Sequence, residues 1–124
     1  MIGYAMLGTN NYEKALEFYD QVLAPAGGKR MMDFGVSTVY GSDPSRAMLG
    51  VGTPYNKEAA SVGNGVMIAL AMPSKEKVHE VYDTAIRLGA QCEGPAGPRG
   101  DNFYAGYFRD LDGNKLCAFH ATGM

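Results

Sequence analysis

Two stretches of the chain place apolar residues at helical spacing. In the first stretch, positions i, i+3, i+4, i+7 and i+8 are occupied by Ala15, Phe18, Tyr19, Val22 and Leu23. In the second stretch, the same positions are occupied by Val78, Val81, Tyr82, Ala85 and Ile86. Each stripe predicts an amphipathic helix that buries one face.

The ends of these predicted helices carry recognisable signals. Asn11 and Ser74 precede the two stripes, and each can cap a helix because its side-chain oxygen accepts a bond from a first-turn backbone N–H. Pro25 and the Gly27-Gly28 pair end the first helix, since neither residue type continues a helix well. The chain is therefore predicted to contain two helices with defined starts.

Short apolar runs around the helices predict β-strands. Glycine, proline and small polar residues separate these runs. The predicted strands are Gly3–Thr9, Lys29–Phe34, Val36–Tyr40, Ala47–Val51, Val66–Ala71 and a poorer strand at Gln91–Glu93. The stretch Gly94–Asn102 is rich in glycine and proline and is expected to form a long loop.

A β-hairpin is predicted within Tyr104–His120, where apolar and aromatic residues run up to Asp112-Gly113 and resume after it. An Asp-Gly pair readily takes the positive backbone angles that a hairpin turn needs. His120 and Ala118 should then lie on one face of the hairpin, because successive side chains alternate. The residues predicted on the other face are Ala105, Tyr107, Cys117 and Phe119.

The two halves of the chain repeat one pattern. The motif E-K-x-x-E-x-Y-D begins at Glu13 and begins again at Glu76, and the same offset relates the helix caps and the strands before them. Each half then forms a βαβββ unit, with module 1 at 1–53, a connector at 54–63 and module 2 at 64–124. One helix covers only one face of a small sheet, so two units are expected to enclose a concave cleft.

Composition narrows the class of protein. The 124-residue length indicates a single domain, and a net charge of -2 with scattered lysine and arginine argues against a nucleic-acid partner. No apolar run reaches the length of a membrane span, about 18 residues, so no membrane partner is expected. Cys92 and Cys117 match no zinc-binding spacing and indicate a reduced, cytoplasmic protein.

The duplicated unit and one segment near the C-terminus resemble the vicinal oxygen chelate superfamily of glyoxalase I, bleomycin-resistance proteins, fosfomycin-resistance enzymes and extradiol dioxygenases. The segment Phe108–Leu116, F-R-D-L-D-G-N-K-L, is close to the family's F-x-D-P-D-G-N-x-I run, with Leu111 at the usual proline. The resemblance implies an α+β fold in which two tandem βαβββ modules form a cupped, incomplete mixed β-barrel with helices outside. It also implies a homodimer.

The resemblance further implies four metal-ligand positions, usually histidine in the first strand of each module and glutamate in the last. These positions fall on Tyr4, Met67, Leu49 and Cys117. Phenol, thioether, alkyl and thiol groups are poor substitutes for imidazole and carboxylate around a catalytic divalent ion. We therefore predict no metal cofactor, although the family resemblance alone implies one.

The residues expected to line the cleft are mostly apolar or phenolic. They are Tyr4, Met6, Leu49, Met67, Arg99, Ala105, Tyr107, Cys117 and Phe119. This lining suits a small apolar or aromatic molecule, and simple core packing is the alternative for its apolar members. The guanidinium of Arg99 is expected either to hold a carboxylate or phosphate, or to pair with Asp101 or water.

Three functions are consistent with this pattern. The first is a non-enzymatic binder of small molecules, similar to the bleomycin-resistance branch of the family. The second is a metal-dependent lyase or dioxygenase resembling glyoxalase I (lactoylglutathione lyase). The third is a metal-free enzyme in which tyrosine, cysteine or arginine acts, from among Tyr4, Tyr107, Cys117 and Arg99. We favour the binder, while the sequence leaves open the ligand and whether any reaction is catalysed.

Overall fold

The computed structural model describes residues 1–123, which form two compact units, one from Met1 to Val62 and one from Gly63 onward. The first unit contains β1 (Tyr4–Gly8), α1 (Tyr12–Val22), a 3-10 turn (Ala24–Ala26), β2 (Lys29–Asp33), β3 (Ser37–Gly41) and β4 (Met48–Gly52). The second contains β5 (Ile68–Ala71), α2 (Lys75–Arg87), β6 (Gln91–Pro98), β7 (Phe103–Arg109) and β8 (Lys115–Ala121).

Both units have the same sheet topology. The strand order is β1-β4-β3-β2 in the first sheet and β5-β8-β7-β6 in the second. The first strand of each unit runs parallel to the last, and the other neighbours are antiparallel. The predicted α+β class with two tandem βαβββ units is therefore confirmed, and the helix starts, Tyr12 and Lys75, are separated by the same offset as the sequence repeat.

The two predicted helix caps are confirmed. The side-chain oxygen of Asn11 accepts a hydrogen bond from the Lys14 backbone N–H at 3.2 Å. The hydroxyl of Ser74 accepts the equivalent bond from Lys77 N–H, also at 3.2 Å. Each cap satisfies one of the backbone donors that a helix start leaves without an internal partner.

Helix α1 packs on one face of the first sheet. The Tyr12 hydroxyl lies 2.6 Å from Oγ1 of Thr38, and the Tyr40 hydroxyl, which donates to Oδ1 of Asp20 at 2.8 Å, also lies 3.3 Å from the Leu16 carbonyl. Between helix and sheet lies the core of this unit, whose fully or almost fully buried side chains include Phe18, Tyr19, Val22, Tyr40, Leu49 and Val51. This face of the sheet is therefore closed.

Helix α2 closes the equivalent face of the second sheet. The Tyr82 ring contacts the Phe108 ring, with centroids 6.5 Å apart. Gly106 lies beneath Tyr82, since a Cβ at Gly106 would stand 2.9 Å from the Tyr82 ring. The buried core here includes Val78, Val81, Ala85, Phe108, Leu116 and Ala118.

The hairpin between β7 and β8 is confirmed, and its turn, Asp110–Asn114, is longer than the predicted Asp112-Gly113 pair that it contains. Oδ1 of Asp110 accepts hydrogen bonds from the backbone N–H groups of Asp112 and Asn114, both at 2.9 Å. Gly113 takes a positive φ of 91°, a conformation that glycine adopts without steric cost. Asp110 therefore serves the turn, which is the role that its short acidic side chain predicts.

The predicted loop at Gly94–Asn102 is wrong in its first part. Strand β6 continues through Gly94 to Pro98, with two register shifts along its pairing with β7. Pro95 and Pro98 have no backbone N–H to donate. An edge strand such as β6 tolerates this because it has a neighbouring strand on one side only. Edge position and bulges together allow a Gly- and Pro-rich segment to remain in the sheet.

Neither α1 nor α2 has both the length and the apolar character needed to cross a bilayer, nor does any other helix within residues 1–123.

Candidate functional site

Each sheet has a face that carries no helix from its own unit, which we call the open face. In the second unit, Tyr107 pairs directly with Cys117, and Ala105 pairs directly with Phe119. Paired residues share a face, and these four lie opposite the Gly106 and Phe108 side that packs on α2. The predicted alternation of the hairpin is therefore confirmed, while a binding role for these residues stays a prediction.

Two cationic side chains flank the Tyr107 ring on this open face. The guanidinium carbon of Arg99 lies 5.5 Å from the ring centroid, and Nζ of Lys115 lies 5.8 Å from it. Gly94 makes room for the arginine, because a Cβ there would stand 3.1 Å from Nη2 of Arg99 and 3.3 Å from Cδ2 of Tyr107. Both cations are within the range at which an aromatic face attracts them.

Arg99 is held by backbone carbonyls of its own segment rather than by Asp101. Its Nη1 donates to the carbonyls of Gly97 at 3.1 Å and Pro98 at 3.2 Å, and its Nη2 donates to Pro95 at 2.7 Å. The predicted alternative of an Arg99–Asp101 pair is therefore wrong. The irregular course of β6 brings these carbonyls to the arginine, and sequence patterns do not specify that course.

The thiol of Cys117 is fully buried, and burial raises its pKa. The Tyr107 phenol and the charges of Arg99 and Lys115 act in the opposite direction but do not outweigh burial. Burial likewise raises the pKa of Tyr107, and its interaction with Cys117 adds to that increase. Both groups therefore remain protonated near neutral pH, as hydrogen-bonding groups rather than as nucleophile or base.

The other end of the open face is aromatic. Phe103 and Phe119 stack with ring centroids 5.3 Å apart and an interplanar angle of 17°. Phe103 is missing from the predicted lining, although alternation from Ala105 and Tyr107 would have found it. Ala69 and Ala71 of β5 extend the same face, because they pair with Cys117 and Phe119. Met67 directly precedes β5 and is 40% exposed.

The open face of the first unit is lined by methionine and glycine. Tyr4 pairs with Met48, and Met6 pairs with Gly50. Tyr4 and Met6 are 61% and 49% exposed, as expected for residues that α1 does not cover. Met48 also lies over Gly41, where a Cβ would stand 2.8 Å from its Cγ.

Leu49 does not belong to this open face, contrary to the prediction. It pairs with Ala5 in β1 and with Tyr40 in β3, and the Tyr40 hydroxyl bonds to α1. Leu49 therefore points into the core under the helix and is only 6% exposed. In a strand of period two, a shift of one residue moves a side chain to the opposite face.

The sheet register identifies Gly50, not Leu49, as the counterpart of Cys117. Met6 and Ala69 occupy equivalent positions in the two copies of the duplicated unit, because the offset of the repeat relates them. Met6 pairs with Gly50, and Ala69 pairs with Cys117. A Cβ on Gly50 would overlap Sδ of Met6, so the methionine side chain covers the position that the glycine leaves open.

The side chains at the family's metal positions do not fit a hard divalent ion. Tyr4 and Met67 offer a phenol and a thioether, Gly50 offers no side chain, and Cys117 offers a thiol whose pKa is raised. Among residues 1–123, no group of three or more His, Cys, Asp or Glu side chains is placed to hold a metal ion. This donor set lacks the imidazole and carboxylate groups that such ions prefer.

The two histidines of the chain lie away from the open face. Nε2 of His79 lies 2.7 Å from the Tyr104 hydroxyl, and Nδ1 of His120 lies 3.0 Å from the Met72 carbonyl. His120 pairs with Tyr104 on the face that packs on α2. The prediction that His120 points away from Cys117 is therefore confirmed.

Two sheets of one topology, each with a single helix, define an α+β protein of tandem βαβββ units. A family model described as the Glyoxalase/Bleomycin resistance protein/Dioxygenase superfamily matches residues 1–118, and the chain belongs to this superfamily.

Solved structures share this fold. A glyoxalase/bleomycin resistance protein from Albidiferax ferrireducens T118 is 34% identical, with a TM-score of 0.89 over 97% of this chain and 98% of that chain. A putative glyoxalase from Bacillus halodurans has a TM-score of 0.77 at 16% identity, covering 97% and 95% of the two chains. TioX from Micromonospora sp. ML1 has a TM-score of 0.65 at 15% identity, covering 98% of each. No curated protein matches the chain in sequence.

Proposed function

We propose that this member of the superfamily binds a small apolar or aromatic molecule on the open faces of its sheets, without a metal ion at the family's ligand positions. The observation that carries the proposal is the stacked pair Phe103 and Phe119 beside Ala105 and Cys117. A stacked aromatic pair offers a flat apolar face to a planar ligand. Hydrogen-bonding groups stand at one end, where Tyr107 lies.

The first unit supports the same function. Tyr4, Met6 and Met32 are all more than 40% exposed although they are large and apolar. Methionine is flexible and polarisable, so a surface that contains several adapts to ligands of different shapes. Tyr4 and Met6 are neighbours on the same face of β1, and adjacent exposed apolar side chains are typical of a binding surface rather than of a core.

A binder is favoured over either enzyme. A metal-dependent lyase or dioxygenase needs ligands that the side chains at the family's positions do not supply. A metal-free enzyme needs a nucleophile or base that is active near neutral pH, and the pKa values of both Tyr107 and Cys117 are raised. Binding requires neither metal ligands nor a nucleophile or base that is active near neutral pH.

Fluorescence titration with N-phenyl-1-naphthylamine, a neutral probe that brightens in apolar surroundings, tests this proposal. We expect saturable binding by the full chain and a dissociation constant about tenfold higher for Phe119→Ala, because an aromatic contact is lost. Phe34→Ala is the matched control, since Phe34 is 63% exposed and lies between β2 and β3. Equal loss in both variants, or no saturable binding, would contradict the proposal.

Metal analysis of the purified protein tests the alternative. Near-stoichiometric nickel, zinc, iron or manganese would favour a metal-dependent enzyme.

The homodimer and the cytoplasmic location also stay proposals. Light scattering during size exclusion measures the oligomeric state directly.

A further inference from the structure

Two positive charges on the open face of the second unit have no carboxylate partner within residues 1–123. The described ion pairs are Arg30–Asp20, Lys77–Glu80 and Arg109–Glu93. Arg109 lies on the same face as Lys115, with which it pairs across β7 and β8, and its charge is compensated by Glu93 at 2.8 Å. The charges of Arg99 and Lys115 are not compensated in this way.

Both charges lie near the same aromatic ring. Both lie close to the Tyr107 ring centroid, Arg99 at 5.5 Å and Lys115 at 5.8 Å. Both also act electrostatically on the buried thiol of Cys117, which pairs with Tyr107. An anion near the edge of this ring would be attracted to both charges.

The guanidinium of Arg99 keeps donors available for such an anion. Its three bonds to the carbonyls of Pro95, Gly97 and Pro98 use both Nη1 hydrogens and one Nη2 hydrogen. Nε–H and the second Nη2–H form none of these bonds. The same three bonds fix the orientation of the side chain, so binding a ligand would cost little further side-chain entropy.

The aromatic pair lies at a fixed distance from these charges along the strands. Cys117 and Phe119 are two residues apart, and Tyr107 and Phe103 are four residues apart. At about 3.3 Å per residue, these separations correspond to roughly 7 and 13 Å. A molecule with an anionic group at one end and one or two fused rings at the other matches this spacing.

We propose that the ligand of this open face is a carboxylate joined to a planar apolar body, with Arg99 and Lys115 at the carboxylate and Phe103 and Phe119 at the rings. The inference rests on the proposed binding function and adds the charge and shape of the ligand. The planar edge of a guanidinium matches the two oxygens of a carboxylate.

The experiment compares 2-naphthoate with 2-naphthamide, two probes of nearly equal shape of which only the first is charged. Both are measured by displacement of N-phenyl-1-naphthylamine from the full chain. We expect 2-naphthoate to bind about tenfold more tightly than the amide, because a charge-assisted hydrogen bond adds to the shared ring contact. The preference should fall as salt is raised.

Two variants test whether Arg99 and Lys115 cause the preference for naphthoate over naphthamide. Arg99→Gln and Lys115→Gln should each reduce the preference for naphthoate to about threefold or less while leaving naphthamide affinity within about twofold. Lys75→Gln is the matched control, because Lys75 stands 5.3 Å from the Tyr104 ring in the same kind of contact on the other face. If Arg99→Gln fails to fold, as a thermal melt would show, Lys115→Gln provides the test by itself.

The outcomes separate this inference from the proposed function. Equal affinity for the two probes in the wild-type chain would contradict the proposal that the ligand carries a carboxylate. It would leave the proposed binding function intact. If both Arg99→Gln and Lys115→Gln keep the full preference for naphthoate, these two residues do not bind the carboxylate. Binding of neither probe would contradict the proposed function itself.

Discussion

Tyr82 packs its ring edge-on against Phe108, with centroids 6.5 Å apart and an interplanar angle of 65°. In the first unit, Tyr19 contacts Tyr40 with centroids 6.3 Å apart. Tyr19 and Tyr82 are the equivalent tyrosines in the two copies of the E-K-x-x-E-x-Y-D motif. The two halves therefore share a core contact as well as a motif, which is what a duplicated folding unit requires.

Gly106→Ala tests the helix packing of the second unit. The added Cβ would stand 2.9 Å from Cδ1 of Tyr82 and 3.2 Å from the backbone of Ala96. We expect the free energy of unfolding to fall by about 1–3 kcal/mol, because a crowded core forces strained side chains or backbone shifts. Urea denaturation monitored by circular dichroism measures this change.

Gly3→Ala is the control for that substitution. A Cβ at Gly3 would have no atom within 4 Å. Its effect should stay within about 0.5 kcal/mol, which is typical of an open surface position. Equal stability of Gly106→Ala and the wild-type chain would show that Tyr82 does not pack over Gly106.

Asp20→Asn tests a polar network between α1 and the first sheet. Asp20 accepts two bonds from Arg30, at 2.9 and 2.8 Å, and one from the Tyr40 hydroxyl at 2.8 Å. The Arg30 guanidinium holds the pKa of Asp20 below its usual value, with the Tyr40 bond assisting against desolvation. The pair is about 40% exposed, so we expect a loss of only about 1 kcal/mol of unfolding free energy at pH 7.

The pH dependence of this loss in unfolding free energy follows from the direction in which folding shifts the pKa of Asp20. Because the pKa of Asp20 is lower in the folded state, its stabilising effect is complete above the unfolded pKa and is lost as the pH falls through the folded pKa. The difference between wild type and Asp20→Asn should therefore be constant above about pH 5 and vanish in stronger acid. Urea titrations between pH 7 and pH 2.5 measure it.

Asp83→Asn is the control supplied by the duplication. Asp83 is exposed, occupies the position of Asp20 in the second copy of the motif, and belongs to none of the ion pairs within residues 1–123. Its substitution should change stability by less than about 0.5 kcal/mol. A similar loss in both variants would mean that Arg30 contributes nothing specific.

The two cysteines should differ in reactivity. Cys117 is fully buried with a raised pKa, whereas Cys92 is exposed. With Ellman's reagent at pH 7, we expect one fast thiol and one at least about tenfold slower, because only an accessible thiolate reacts. Cys92→Ser should remove the fast phase, and Cys117→Ser the slow one. A fast phase that survives Cys92→Ser would contradict the burial of Cys117.

Gly50→Ala tests the methionine that covers the first open face. The new Cβ would overlap Sδ of Met6, which must then move. We expect a loss of about 1 kcal/mol in unfolding free energy, and a smaller loss when Gly50→Ala is made in a Met6→Ala background. Additivity of the two substitutions within about 0.5 kcal/mol would show that Met6 does not lie over Gly50.

In the hairpin, the predicted face of each residue is correct. The strands are joined by the five-residue turn Asp110–Asn114, which contains the Asp112-Gly113 pair, and successive side chains lie on opposite faces. A local turn thus supplied the register that alternation needs.

The wrong placement of Leu49 has a physical reason. The β4 sequence Met-Leu-Gly-Val-Gly has no alternation of polar and apolar residues, and the strand pairs in parallel with β1, far away in sequence. No local turn fixes such a pairing. The identity of Gly50 as the counterpart of Cys117 therefore became visible only in the sheet.

The sequence did not predict the hydrogen-bond partners of Arg99 either. Its side chain is long and can reach many acceptors, and the three carbonyls it bonds lie in a strand whose pairing with β7 shifts register twice. Bulges of this kind depend on how an edge strand follows its neighbour.

By itself, the sequence determined the duplication, the two capped helices, the hairpin and the resemblance to the superfamily, because helix period, caps and tight turns are local properties. Only the tertiary structure decided which β4 residue faces outward, how far β6 extends, and that Arg99 and Lys115 each lie near the Tyr107 ring. Those features depend on pairing between distant segments, where contacts in space rather than neighbours in the chain set the energy.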